Sequence, residues 1–184
     1  MAGARWLPQG LLDAARQIPS PNRDERPPGA QVDLLVIHNI SLPPGRFGGR
    51  AIEELFTNRL DCDRHPAFAA LRGLRVSAHF LIRRRGELLQ FVPCDLRAWH
   101  AGVSSWAGRS RCNDFSVGVE LEGTDERSYS PAQYRRLVWL TRALQERYPI
   151  SDIVGHNDIA PGRKTDPGPV FDWSSYRALL QRAD

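Results

Sequence analysis

Residues 155–168 bring an imidazole, a carboxylate and the chain's only lysine into one short, turn-rich stretch: His156, Lys164 and Asp166, among Pro161, Gly162, Pro167 and Gly168. All the other residues among the 25 Lys+Arg are arginine, so Lys164 marks a position suited to a compact ammonium with rotatable donors rather than a planar fork. A catalytic zinc centre takes about three His or carboxylate ligands and leaves one position open for water. His38 completes such a set with His156 and Asp166. Each histidine ends an apolar run, residues 32–37 for His38 and Ile153-Val154 for His156, so two strand ends can aim both rings into one cleft. The same donor set with iron serves oxygen chemistry, to which nothing else in the chain points, and zinc is the expected metal.

Hydrolysis at such a centre also needs a proton carrier. Residues 115–122 alternate: Phe115, Val117, Val119 and Leu121 face one way, while Ser116, Gly118, Glu120 and Glu122 face the other. Gly123 ends the strand beside Glu122, which makes Glu120 the candidate acid/base. Lys164 is then placed to hold a developing oxyanion.

The elements that position these groups follow from pattern and punctuation. Residues 11–17 read as a short amphipathic helix, and 19–29 as a polar, Pro-rich arm lying across the surface. The near-continuous apolar run in 32–40 predicts a strand buried on both faces, followed by a loop through Pro43, Gly45 and Gly49. A helix is expected at 52–57, and a hairpin from strands 77–83 and 87–92 around Arg85-Gly86. Residues 98–111, rich in Gly, Ser, Trp and Arg, suit a binding loop better than a core element. Ser130, Pro131 and Gln133 form a capping box for the longest helix, which runs to Pro149, and Asp172 caps a last helix.

At 184 residues, 41% hydrophobic and 25% charged, the chain suits a single domain spanning 1–184, of α/β class with a mixed central β-sheet flanked by helices. The net charge of +4 is scattered among 21 acidic residues, a solvated basic face rather than a nucleic-acid footprint. Cys62, Cys94 and Cys112 are odd in number and lack a CxxC pair, as expected of reduced thiols in a cytosol. Arg5, Asp13 and Arg16 interrupt the apolar residues that a secretory signal needs, and no run approaches the roughly 20 apolar residues of a membrane span. A cytoplasmic protein is expected, with neither membrane, nucleic acid nor obligate protein partner.

These residues lie in segments that resemble the type 2 N-acetylmuramoyl-L-alanine amidases over nearly the whole chain: 36–45 with His38 and Asn39, Arg75-Val76-Ser77-Ala78-His79, 97–104 with Trp99 and His100, Cys112-Asn113-Asp114-Phe115, 118–125 with Glu120, and Arg163-Lys164-Thr165-Asp166-Pro167-Gly168. The likeness is strongest to the cytoplasmic branch that acts on anhydro-muropeptides. It implies zinc at the carboxyl-end rim of the sheet, held by His38, His156 and Asp166, with Glu120 as acid/base and Lys164 as its partner. It also implies that Asn39, Arg75, Trp99 and Arg111 contact the sugar or peptide carboxylates, and that the reaction is hydrolysis of the amide between anhydro-N-acetylmuramic acid and L-alanine during cell-wall recycling. His79 and His100 are left outside the metal set, and His79, between Ala78 and Phe80, reads as a satisfied core imidazole. One rival is a module that binds wall fragments without cutting them; the presence of Asp166, Glu120 and Lys164 together favours an enzyme.

Overall fold

An apolar run such as Leu34–Ile37 needs cover on both faces. The computed structural model, which describes residues 4–182, provides it in a six-stranded mixed sheet between helices. Residues 1–3 and 183–184 of the expected 1–184 domain lie outside the described residues. The strands are β1 (Arg16–Gln17), β2 (Leu34–Ile40), β3 (Phe80–Ile82), β4 (Leu88–Gln90), β5 (Ser116–Glu122) and β6 (Asp152–Gly155). They lie in the order β6-β2-β5-β3-β4-β1. All neighbours are parallel except β3 and β4, the forecast hairpin, which is shorter than its apolar pattern.

The helices are α1 (Ala51–Phe56), α2 (Pro131–Arg147), α3 (His156–Ile159) and α4 (Trp173–Gln181). On one face Leu35, Ile37, Val117, Val119 and Leu121 form a core with Leu137 and Leu140 of α2 and Tyr176 of α4. On the other, Leu81 and Leu89 meet Ile52, Leu55 and Phe56 of α1, while Leu34 and Val36 meet Ala101, Cys112 and Ile159. Odd-numbered residues of β2 and β5 therefore face α2 and α4, and even-numbered ones, His38 and Glu120 included, face away from them. The α2 capping box forms as its sequence forecasts, and the buried Gln133 also donates to Ile82 O and Glu122 O, tying the helix start to the ends of β3 and β5. Asp172 caps α4 through the Ser175 N–H, and all three cysteines are free.

Three expectations are corrected. Residues 11–17 are not a helix: Leu11–Leu12 pairs with Trp6–Leu7, and Arg16–Gln17 joins the sheet edge as β1. Seven residues nucleate a helix poorly, and Gln90 captures the main chain instead, accepting from Leu12 N–H and donating to Gly10 O. The Pro-rich arm keeps Pro21, Arg23, Glu25, Pro27, Pro28 and Gly29 exposed at the surface, yet it is pinned to the body by polar side chains that were expected to be solvated. Ser20 and Asn22 are buried, Asn22 donates to Val76 O and Ser77 Oγ donates to Asn22 O. Arg26 donates to the carbonyls of Cys94, Asn113, Asp114 and Ser116. Finally, part of 98–111 is core, because Ala98 and Ala101 are fully buried and Arg97–Ala98 pairs with Arg23–Asp24.

A buried ionic group stiffens the sheet beside α1. Arg83 donates to Glu122 at 2.9 Å and to Glu53 at 2.7 Å, and Arg16 reaches the same Glu53 oxygen at 2.7 Å. Removing one partner of such a group strands a buried charge. Arg83→Met is expected to cost about 3–5 kcal/mol of unfolding free energy, read from chemical denaturation, and a loss below about 1 kcal/mol would show the group to be dispensable.

Candidate metal centre

Three neighbouring parallel strands, β6, β2 and β5, end at one edge of the sheet. Glu120 stands opposite His38 in register, and Gly155 stands opposite Ile37, so His156, the next residue, arrives beside His38. Gly155 has to be glycine: a Cβ there would lie 2.7 Å from Pro167 Cδ and push away the loop that carries Asp166. His38 Nδ1 and His156 Nδ1 are 3.0 Å apart, and each is 3.0 Å from Asp166 Oδ2. Both rings are buried, and among the described residues no other group of three His, Cys, Asp or Glu side chains converges in this way.

The protonation pattern fits a cation. A carbonyl can only accept, so His156 Nε2, 3.1 Å from Ala101 O, carries the ring proton and leaves Nδ1 a lone pair. Burial lowers the His38 pKa to about 4 despite its contact with Asp166, which keeps that ring in the neutral, ligating form. Burial pushes the Asp166 carboxyl upward, but its contacts with His156 and His38 outweigh this and hold it well below the usual carboxylate range. Three lone-pair atoms thus meet where a single proton can satisfy only one pair of them. Tetrahedral zinc ligands at about 2.0–2.1 Å from the metal sit roughly 3.3 Å from one another, close to the observed spacing, so these residues fit a small divalent ion.

The two glutamates of β5 have different surroundings. Glu122 accepts from Arg83, from Gly48 N–H and from Arg84 N–H, and is a structural acid. Glu120 is buried and its Oε2 has no hydrogen-bond partner among the described residues. Burial holds its carboxyl well above the usual range, the charge of Asp166 adds to this and Lys164 opposes it. A buried carboxyl oxygen without a partner, facing a ligand cluster, is a group that can receive and return a proton.

Lys164 is exposed on the rim of an open cleft of about 470 Å³, lined also by Asn39, Ser41, Asp125, Thr165 and Asp166. Of the four residues expected at the substrate, Asn39 lines this cleft and donates to Asp125. The Trp99 indole is half-buried and donates to Asp24. Arg111 is exposed, in a left-handed conformation, 3.3 Å from Asp114, and Arg75 borders a separate groove with Leu60 and Leu71.

His79 is the satisfied core imidazole its neighbours forecast, with Nδ1 accepting Gly118 N–H and Nε2 facing Leu96 O. His65 caps a short 3-10 turn at Pro66–Leu71. His100, which the sequence places outside the metal set, has its Nδ1 2.9 Å from His38 Nε2. Asn113, also outside that set, accepts the backbone N–H groups of both His100 and Ala101. The only sequence signal for either was its place in a segment shared with the amidases.

A helix-flanked mixed sheet with this cluster at its carboxyl edge defines a class, and comparison with known proteins identifies it. A sequence profile described as N-acetylmuramoyl-L-alanine amidase matches residues 28–169, and the chain belongs to that family of enzymes. It is 58% identical over 178 residues to the 1,6-anhydro-N-acetylmuramyl-L-alanine amidase AmpD of Escherichia coli K12, covering 96% of this chain and 97% of that protein. A crystal structure of a selenomethionine AmpD derivative superposes with a TM-score of 0.93 at 58% identity, over 96% of this chain and 99% of that one. The Escherichia coli amidase AmiD, solved with anhydro-N-acetylmuramic acid-L-Ala-D-γ-Glu-L-Lys, matches with a TM-score of 0.60 at 30% identity, over 84% of this chain and 60% of that one.

Proposed function

We propose that this chain is a zinc-dependent amidase of cytoplasmic cell-wall recycling, and that it cleaves the amide between anhydro-N-acetylmuramic acid and L-alanine of muropeptides. The observation that carries the reading is the meeting of His38 Nδ1, His156 Nδ1 and Asp166 Oδ2 within 3.0 Å, beside a buried glutamate with an open oxygen. The near full-length likeness to AmpD supports the substrate class. No helix among the described residues is long and apolar enough to cross a membrane.

His38, His156 and Asp166 hold the metal. When bound, zinc supplies Lewis acidity toward the scissile carbonyl and lowers the pKa of water to about 7. Glu120 takes the proton of the attacking water and returns it to the departing amine of L-alanine; burial strengthens its hold on the proton, and the charge of Lys164 opposes that effect. Lys164, on the cleft rim, stabilises the oxyanion of the tetrahedral intermediate. Asn39 contacts the substrate within the cleft, while Arg75, Trp99 and Arg111 bind its sugar and carboxylate groups from beyond it.

The test is zinc content by elemental analysis together with release of free stem peptide from purified anhydro-muropeptide. About one zinc per chain with turnover is expected; one zinc per chain with tight fragment binding and no turnover would overturn the catalytic reading. Lys164→Ala is expected to keep its zinc and lose about 10²–10³-fold in kcat. Parent-level kcat in that variant removes Lys164 from the chemistry.

A further inference from the structure

Both histidines of the centre are held from behind by one short segment. His156 Nε2 donates to Ala101 O at 3.1 Å, and His38 Nε2 lies 2.9 Å from Nδ1 of the adjacent residue, His100. For His38 Nδ1 to present a lone pair in the neutral ring, Nε2 must carry the proton and give it to His100 Nδ1. The His100 proton then sits on Nε2, 3.1 Å from Ser116 Oγ. The opposite polarity would put a proton on His38 Nδ1, facing Asp166 and closing the lone pair, so the direction of this chain of contacts decides whether His38 can ligate.

The segment is itself fixed from several sides. Asn113 Oδ1 accepts His100 N–H at 3.1 Å and Ala101 N–H at 2.8 Å, Ser77 Oγ accepts Trp99 N–H at 3.0 Å, and Arg163 donates to Ala101 O at 2.8 Å. The His100 ring lies against bare backbone of β5: a Cβ on Gly118 would come within 2.5 Å of it. No substrate role is needed for an amide oxygen that receives two consecutive backbone donors.

We infer that His100 and the Ala101 carbonyl, set in place by Asn113, are the orienting element for both metal histidines: His100 directs the proton of His38 and Ala101 that of His156. His100 and Asn113 are positioning residues. The inference rests on the zinc reading above, and its failure is separable from failure of that reading. Outer contacts of this kind typically contribute 10–100-fold to metal affinity.

The experiment is zinc affinity by chelator competition for the parent, His100→Phe, His100→Asn, Asn113→Ala and Asn113→Asp, with ¹⁵N NMR of the histidine rings in zinc-loaded parent. Parent protein without zinc overturns the metal reading itself. With zinc bound by the parent, His100→Phe and Asn113→Ala are expected to bind it about 10–100-fold more weakly. His100→Asn and Asn113→Asp, which retain an acceptor near the lost atom, should recover most of that loss. The NMR spectrum should place the His100 proton on Nε2. Unchanged affinity in His100→Phe and Asn113→Ala, or a His100 proton on Nδ1, overturns the inference while leaving the zinc centre standing. Thermal unfolding of the metal-free variants accompanies the titration, and if His100→Phe does not fold the Asn113 pair decides by the same criterion.

Discussion

Asp166→Ala is expected to abolish stoichiometric zinc binding and to lower muropeptide cleavage by at least about 10³-fold, the equivalent of several kcal/mol at 1.36 kcal/mol per factor of ten. The reason is geometric: among the described residues Asp166 Oδ2 is the one carboxylate oxygen that meets both histidine Nδ1 atoms, at 3.0 Å each, and it brings the negative charge of the three-residue cluster. Its loop reaches back to α3 through Asn157 N–H to Asp166 O, a backbone contact that the substitution leaves in place. The fold should therefore survive, which far-UV circular dichroism checks. A variant that keeps about one zinc per chain, or turns over like the parent, would remove Asp166 from the centre.

Glu120→Gln should give the opposite combination, with zinc and fold retained and kcat reduced by about 10²–10⁴-fold. Glutamine preserves the shape of a side chain that is buried and has an unpartnered oxygen, so packing on β5 changes little. What disappears is the ability to take up and release a proton. Glu122→Gln serves as the control, because that carboxylate is engaged by Arg83 and two backbone donors; its effect should fall on stability and not on kcat. Equal kcat losses in the two variants would mean that Glu120 acts through the sheet rather than on the substrate.

The sequence pattern revealed more of the centre than of its supports. Strand-end histidines after apolar runs, a turn-flanked aspartate and a period-two strand are local signals, and each survives folding because the register of β2, β5 and β6 is dictated by the same apolar residues. The choice of Glu120 over Glu122 rested on a glycine at the strand end; the structure adds the partners of Glu122, which no pattern announces. Residues 11–17 misled because helical spacing is a weak guide in so short a piece, where a distant amide, Gln90, offered its backbone better bonds. The burial of Ser20 and Asn22 and the carbonyl contacts of Arg26 were hidden for a similar reason. Polar residues read as surface until the carbonyls they satisfy, far along the chain, are known.

His156 and Asp166, ten positions from each other, lie 118 and 128 positions from His38, on elements that join it only when the sheet is complete. An unfolded chain therefore offers an ion no ready-made cage, and with the proposed metal bound the affinity of the native state for it would be added to the stability of the whole molecule. By mass action, free metal at about 1,000 times its dissociation constant shifts the folding equilibrium by about 4.1 kcal/mol. Metal supply in the cell would then set not only how fast this enzyme works but how much of it escapes unfolding and degradation.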